Sequence, residues 1–215
     1  MPRTAVTRLP ERQRVERALL DALIDTARVA HVGFSGEDGH PVVLPTAVAR
    51  DADVVLLHGS TGSRWMRRVA AGVPVCVAIS ALDGLVVARC AFESSFAYRS
   101  AVVFGSCTRL EGAAKARGLD CLVDALLPGR RDEIRPPSPA ELRRTLVLAL
   151  PIAEWSLKVA DQWPEDGPGD LAGDAWAGVV PLVTAAGTPL ASPDLRAGIP
   201  LPDSVRALLR PGAPG

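Results

Sequence analysis

The feature that most constrains this chain is a succession of short, valine-rich apolar runs, at about 29–35, 41–49, 53–58, 74–81, 84–91, 98–110 and 145–159. Runs of this length, rich in β-branched residues and bounded by polar breaks, favour strands over helices. The breaks carry turn chemistry. Gly36-Glu37-Asp38-Gly39 and Asp83-Gly84 supply the positive-φ residues of tight hairpins, and Asp51-Ala52-Asp53 offers a short polar reversal. Joins this short imply antiparallel neighbours. Two helical inserts interrupt the series, from about 63 to 71 and from about 113 to 127, followed by a Pro-rich stretch and a short helix at 138–144. Many strands with few, unequal helices predict a mainly β fold, a closed or partly closed β-barrel with peripheral helices.

The two ends differ from this middle. Residues 10–27 place Val15, Leu19, Leu20, Leu23 and Ile24 on one face and Arg12, Arg14, Glu16 and Arg17 on the other, the pattern of an amphipathic helix. Beyond 160 the periodicity lapses and nine of the 19 prolines accumulate, although Trp176–Leu182 is apolar enough to dock. The expected division is an N-terminal helical arm at 1–28, a barrel domain at 29–160, and a Pro/Gly-rich extension at 161–215 laid on the barrel or on a partner subunit.

Charge and cysteine content narrow the function classes. With 24 basic and 24 acidic residues and a pI near 6.8, the chain lacks the basic balance of a general nucleic-acid binder, so any anion must be held locally. No run approaches the roughly 20 apolar residues of a membrane span, and the N-terminus has no apolar signal core, so a cytoplasmic location is expected. Cys76, Cys90, Cys107 and Cys121 are widely separated and form no C-x-x-C pair, which predicts buried, reduced thiols. His31, His40 and His58 show no metal-ligand spacing, and no metal site is expected.

The chemistry concentrates in Val54-Val55-Leu56-Leu57-His58-Gly59-Ser60-Thr61-Gly62-Ser63-Arg64, an apolar strand running into a hydroxyl-rich loop that opens a helix. Unpaired N–H groups at a helix start favour a phosphate, two glycines let the backbone come close, and Ser60, Thr61 and Ser63 add donors. A cation such as Arg64 is disfavoured in a first helical turn unless an anion compensates it. The same residues also fit a plain helix cap beside a solvated arginine, and His58 fits either a phosphate donor or a structural strand end.

Six fragments in order, His31-Val32-Gly33-Phe34, Leu44-Pro45-Thr46-Ala47, His58-Gly59-Ser60-x-x-Ser63-Arg64, Leu82-Asp83-Gly84-Leu85-Val86-x-Ala88-Arg89, Tyr98-Arg99-Ser100-x-Val102-x-Phe104-Gly105 and Trp176-Ala177-Gly178-Val179-x-Pro181-Leu182, resemble the pyridoxamine 5′-phosphate oxidase-like superfamily. Within it they are most similar to the flavin-binding group that includes the 5-nitroimidazole resistance proteins. The resemblance spans roughly residues 8–205. It implies an FMN-binding split barrel that forms a homodimer, with the flavin between subunits, and FAD or haem as alternative cofactors. Carried over by position, it makes His58, Gly59, Ser60, Ser63 and Arg64 the phosphate clamp and Pro45-Thr46 the strand beside the isoalloxazine ring. Tyr98, Arg99 and Ser100 approach the cofactor across the interface, and Lys158 and Trp176 are further candidates.

Two departures bear on the substrate. Phe92-Glu93-Ser94-Ser95-Phe96-Ala97 stands where relatives have a His-His pair, and Val48-Ala49 replaces aromatic residues, which implies an altered pocket. The implied reaction is FMN-dependent oxidoreduction of a small organic molecule, with a nicotinamide cofactor as a donor. A non-catalytic flavin- or haem-binding accessory protein on the same fold is the alternative. In the first case the flavin supplies the redox chemistry and the protein positions it.

Overall fold

The structure is a computed structural model that describes residues 2–209, and antiparallel strands dominate it. The larger sheet has seven strands. Six follow the order β1 (Gln13–Arg14), β10 (Glu154–Ala160), β7 (Ser95–Ser106), β6 (Pro74–Val87), β2 (Val29–Ser35), β3 (Pro41–Ala47), and β11 (Gly178–Pro181) joins the far half of β6. The smaller sheet has four, β4 (Ala49–Asp51), β5 (Val54–Ser60), β9 (Thr145–Pro151) and β8 (Thr108–Arg109). The sheets close on one core as a split β-barrel. Val32, Val77, Ile79, Ala101, Val103 and Leu157 come from one side, and Val55, Leu57, Leu146, Leu148 and Leu150 from the other.

Helices plug and cover this barrel. The helix α1 (Arg17–Thr26) inserts Leu20, Leu23 and Ile24 into the core, and α2 (Arg64–Ala70) inserts Met66 and Val69. Each such side chain contributes about 1.5–3 kcal/mol on burial. The long α3 (Gly112–Leu126) packs Leu122 on Leu56, Val147 and Ala149 at the outside of the smaller sheet. That second cover explains why Leu146–Leu150 reads as an unbroken apolar run: both faces of β9 are buried. The outer face of the larger sheet stays open, with His31, Val43 and Pro45 exposed and Ala78, Ser100 and Val102 half-buried.

Several expectations are corrected. The helix expected over 10–27 begins only at Arg17, because Pro10–Arg12 is a 3-10 turn and Gln13–Arg14 pairs with Lys158 and Leu157. Val15 is exposed as a result. The edge of β10 needed hydrogen-bond partners, and meeting that need overrode helical periodicity. Asp83-Gly84 is not a hairpin: 74–81 and 84–91 merge into β6, with a bulge between Leu82 and Gly84, and the chain reverses at 88–94. Across the bulge Arg99 grips Asp83, while Gly84 lies so close to the Val180 carbonyl that a Cβ would come within 2.9 Å of it.

Three further runs split because the chain changes sheets. The run 41–49 breaks at Val48 into β3 and β4, 98–110 into β7 and β8, and 145–159 at Ile152-Ala153 into β9 and β10. Val48 and Ala49 are buried at the first of these switches and form part of the barrel wall. Hairpin geometry at 36–39 and the reversal at Ala52 (φ 51°) form as expected. The helix α4 (Pro139–Arg144) also forms, opened by a Ser138–Glu141 capping box. Only Cys107 among the cysteines is fully buried; Cys76, Cys90 and Cys121 are half-buried, and all four are free. Among the described residues no helix is long and apolar enough to cross a membrane.

Beyond residue 160 the chain is tied back at three points. The Asp166 carboxylate, 1% exposed, accepts from the Arg89 N–H at 2.7 Å and from its guanidinium at 2.9 Å. After the short α5 (Pro168–Leu171), β11 pairs with Gly84–Val87. In α6 (Asp203–Leu208), Ser204 donates to Glu133 through its N–H at 2.9 Å and its hydroxyl at 2.5 Å.

Candidate functional site

The loop between β5 and α2 is built by its own short polar bonds. His58, Gly59 and Ser60 pair with Val147, Leu146 and Thr145 of β9, and the chain then turns as Ser63 N–H donates to the Ser60 carbonyl at 3.0 Å. Gly62 N–H donates to Ser60 Oγ at 3.1 Å, Thr61 N–H to the Arg144 carbonyl at 2.9 Å, and Arg67 Nη1 to the Thr61 carbonyl at 3.0 Å. Ser63 occupies the cap position of α2, but its hydroxyl makes no capping bond. Among the described residues the N–H groups of Arg64, Trp65 and Met66 have no acceptor. The Arg64 side chain is 84% exposed and meets only the exposed Glu37, at 3.8 Å. A pair that loose contributes little, so the guanidinium remains available.

Two details revise how this loop would hold an anion. The helix α2 has seven residues and Arg64, Arg67 and Arg68 among them, so its dipole is a weak attractor and the guanidinium and hydroxyl groups must supply the selectivity. Gly59 is small for packing: a Cβ there would lie 2.8 Å from Met66 Cγ. Gly62 does have open space, its nearest neighbour being Ser60 Oγ at 3.4 Å from a built Cβ.

His58 is half-buried, and its Nδ1 is fully buried with no hydrogen-bond partner. Burial lowers its pKa from the ordinary imidazole value, so the ring is neutral near pH 7. An orphaned N–H is costlier than an orphaned lone pair, which places the proton on Nε2. The ring therefore offers one N–H donor from the half-exposed side of the strand.

Next to this loop lies β3: it belongs to the other sheet but remains in contact with β5, and the chain passes from β3 into β4, whose Ala49 and Asp51 pair with Leu56 and Val54 of β5. As an edge strand β3 tolerates Pro41 and Pro45, which cannot donate to a ladder. Pro45 is exposed and Thr46 half-buried. The contact between β3 and β5, a seam between the two sheets, sets the strand that carries Pro45 and Thr46 next to the strand that carries His58, Gly59 and Ser60, with Ser63 and Arg64 at the start of the helix that follows.

The other expected residues lie elsewhere. Ser100 and Lys158 share one row of the larger sheet, Ser100 three strand spacings from β3, about 14 Å away, and Lys158 one strand farther. Tyr98 is on the same face, whereas Arg99 points to the opposite one and is held bidentately by Asp83 at 2.9 and 2.8 Å. Lys158 Nζ donates to the Arg8 carbonyl at 3.0 Å, and Trp176 is 64% exposed with its ring against Gly178. A single chain does not bring these residues to the seam. A surface depression of about 290 Å³ lined by Asp25, Ala49, Arg50, Cys121, Asp124 and Ala125 contains none of the expected residues. Donor atoms of Cys90, Asp166 and Asp170 come within 4.8 Å of one another, but both oxygens of Asp166 already serve Arg89. Sequence reasoning passed over Arg67, Arg68 and Arg144, which build the loop's surroundings. The spacing of Arg64, Arg67 and Arg68 along one helical face was the available signal.

Comparison with known proteins is consistent with this architecture. A family model described as pyridoxamine 5′-phosphate oxidase matches residues 16–159. The FAD and heme binding protein of Mycobacterium smegmatis is 48% identical and superposes with a TM-score of 0.88, covering 92% of this chain and 97% of that one. The flavocytochrome Anf3 of Azotobacter vinelandii is 33% identical, also with a TM-score of 0.88, covering 97% of each chain. A candidate 5-nitroimidazole antibiotic resistance protein of Bacteroides thetaiotaomicron shares the fold at 22% identity and a TM-score of 0.58, over 68% of this chain and 86% of that one. No curated protein matches the chain.

Proposed function

The chain belongs to the pyridoxamine 5′-phosphate oxidase family, and on that premise we propose that it is a flavin-binding redox protein, with FAD as its flavin and two copies of the chain completing each site. The observation that carries this reading is the near full-length superposition, at 48% identity, on a protein named for FAD and heme binding. That likeness favours FAD over the FMN expected from the sequence. The residues at the β3–β5 seam fit the group: a guanidinium without a close carboxylate, uncommitted hydroxyl and N–H donors, and a neutral imidazole with one N–H to give.

When bound, the flavin supplies hydride and electron transfer. The chain's own contribution is placement. Arg64, Ser60 and Ser63 would hold phosphate, Pro45 and Thr46 would lie along the ring, and His58 Nε2–H would donate to it. Tyr98 and Ser100 stand about three strand spacings away in the same chain, so in this reading they reach the ring from the partner subunit across the open outer face of the larger sheet, whereas Arg99, on the opposite face and held by Asp83, supports the strand that carries them. A nicotinamide donor and a small organic acceptor complete the reaction.

Haem as a second group is favoured by the names of the two full-length neighbours. On this chain His31 suits it better than His58. His31 stands exposed on the open sheet face, where its imidazole would be free to hold a haem iron, whereas the Nδ1 of His58 is buried out of reach of such a group. The test is spectroscopic. Purified protein should show flavin absorption that bleaches with a nicotinamide donor, and the flavin released on denaturation should have the mass of FAD. Colourless protein that takes up neither FAD nor FMN at micromolar concentration would overturn the reading.

A further inference from the structure

We propose that residues 183–201 form an arm that lies on the outer face of the larger sheet of a second copy of this chain. This rests on the two-copy reading above and deepens it by naming the segment that holds the copies together. A single chain leaves two apolar surfaces bare, and the first is the sheet face itself. Leu85 pairs with Phe96 on one side and with Val180 on the other, so the three side chains form one exposed row across β7, β6 and β11. Alternation along the strands puts Val29, Val43 and Leu82 on the same face, exposed as well, while Val32, Val77 and Ile79 point into the core. By the same alternation no Asp, Glu, Lys or Arg side chain of β2, β3, β6 or β7 points to this face.

The second bare surface is the segment after β11. Every residue from 181 to 201 is exposed, Val183 at 86% and Leu190 at 92%, and among the described residues no hydrogen bond joins 183–201 to another element. Its composition is not that of a solvated linker. Asp194 and Arg196 are its two charged residues, beside Val183, Leu190, Leu195, Ile199 and Leu201, and Pro189, Pro193 and Pro200 stiffen it. Both ends are fixed. Leu182 N–H donates to the Asp83 carbonyl at 3.0 Å, next to the Phe96–Leu85–Val180 row, and Ser204 bonds Glu133 at the far end. Pinning such a segment without burying it costs conformational entropy that nothing within one copy offsets. The occupant is a second copy because the arm starts at the edge of the face that the flavin reading presents to that copy, and because arm and face match as apolar, nearly uncharged surfaces. In a two-fold dimer each copy gives an arm and receives one, so both surfaces are covered at once. Exposed apolar area beyond a few hundred Å² is seldom left open on a monomer.

The experiment follows full-length protein by sedimentation over a concentration series, together with trypsin cleavage after Arg196, the arm's one basic residue, read by mass spectrometry. Wild type should dimerise, and Arg196 should be cut at least about tenfold more slowly in the dimer than after dilution to monomer. Val183→Asp/Leu190→Asp should weaken the dimer at least about tenfold and leave Arg196 open to trypsin at every concentration. Leu126→Asp, at an exposed leucine of α3 away from both surfaces, should change neither by more than about twofold. A wild-type dimer whose Arg196 is cut as fast as in the monomer, a double variant that dimerises like wild type, or a wild type that stays monomeric would each overturn the proposal. FAD titrated into the same wild-type samples judges the functional reading separately: binding with a failed arm test leaves the flavin reading standing, whereas no binding overturns that reading whatever the arm does.

Discussion

At the scale of single residues, Arg64 and Ser63 carry the sharpest expectation. Removing both as Ser63→Ala/Arg64→Ala deletes two charge-assisted phosphate contacts of roughly 1.5–3 kcal/mol each, so flavin titration should show at least a tenfold to a hundredfold loss of affinity. His58 has a pH signature. Its folded pKa lies below the ordinary value, so between the two the unfolded chain binds more protons, and stability falls as pH drops through about 6.5 toward the lowered value. Thermal melts of flavin-free protein at about pH 7 and about pH 5 should therefore differ more for the wild type than for His58→Asn; parallel losses would refute the buried neutral imidazole. Cys107, its thiol pushed up to about 12 by burial, should resist alkylation near neutral pH until the protein unfolds, whereas half-buried Cys90 reacts earlier. The sequence showed the loop's residue types, hydroxyl groups and a guanidinium after an apolar strand, which suit both a helix cap and an anion site. It did not show their pairing: nothing in Ser60–Arg64 announces that Arg144, 80 residues on, closes the loop, or that Glu37 stays 3.8 Å from Arg64.

At the scale of elements, two glycines test how strands and helices meet. Gly59→Ala drives a methyl to 2.8 Å from the Cγ of fully buried Met66, and overpacking of this kind costs about 1–3 kcal/mol, visible as a lower urea midpoint with unchanged slope. Gly84→Ala confronts the Val180 carbonyl, a backbone atom that can move only if β11 moves. Faster amide exchange at 178–180 with β6 away from Gly84 unchanged is the expected result, and uniform exchange would count against the packing described. The existence of nearly every strand could be read from apolar runs and their breaks. Where a run bends from one sheet into the other could not, because Val48 and Ile152-Ala153 look locally like more strand. The Asp83-Gly84 pair misled for a related reason: a glycine beside an aspartate suits both a turn and a bulge, and the choice was made by Arg99 and β11 across the sheet.

At the scale of the whole molecule, the proposed flavin site needs a second chain, because Tyr98 and Ser100 lie about three strand spacings from β3. Sedimentation at low concentration should find a dimer, and a monomer still loaded with flavin would contradict a site shared between chains. Asp166→Ala removes the carboxylate that the Arg89 N–H and guanidinium share; proteolysis should then cut first between 160 and 180 while the barrel persists. By itself the sequence determined the class of fold and where most of its strands lie along the chain. These depend on side-chain alternation and turn residues within a few positions of one another. Only the tertiary structure decided which edges pair, where strands change sheets, which arginines remain without carboxylates and how far apart the two groups of candidate residues stand. Those properties depend on contacts between segments distant along the chain, and a local pattern is compatible with many such arrangements until one core has to be filled.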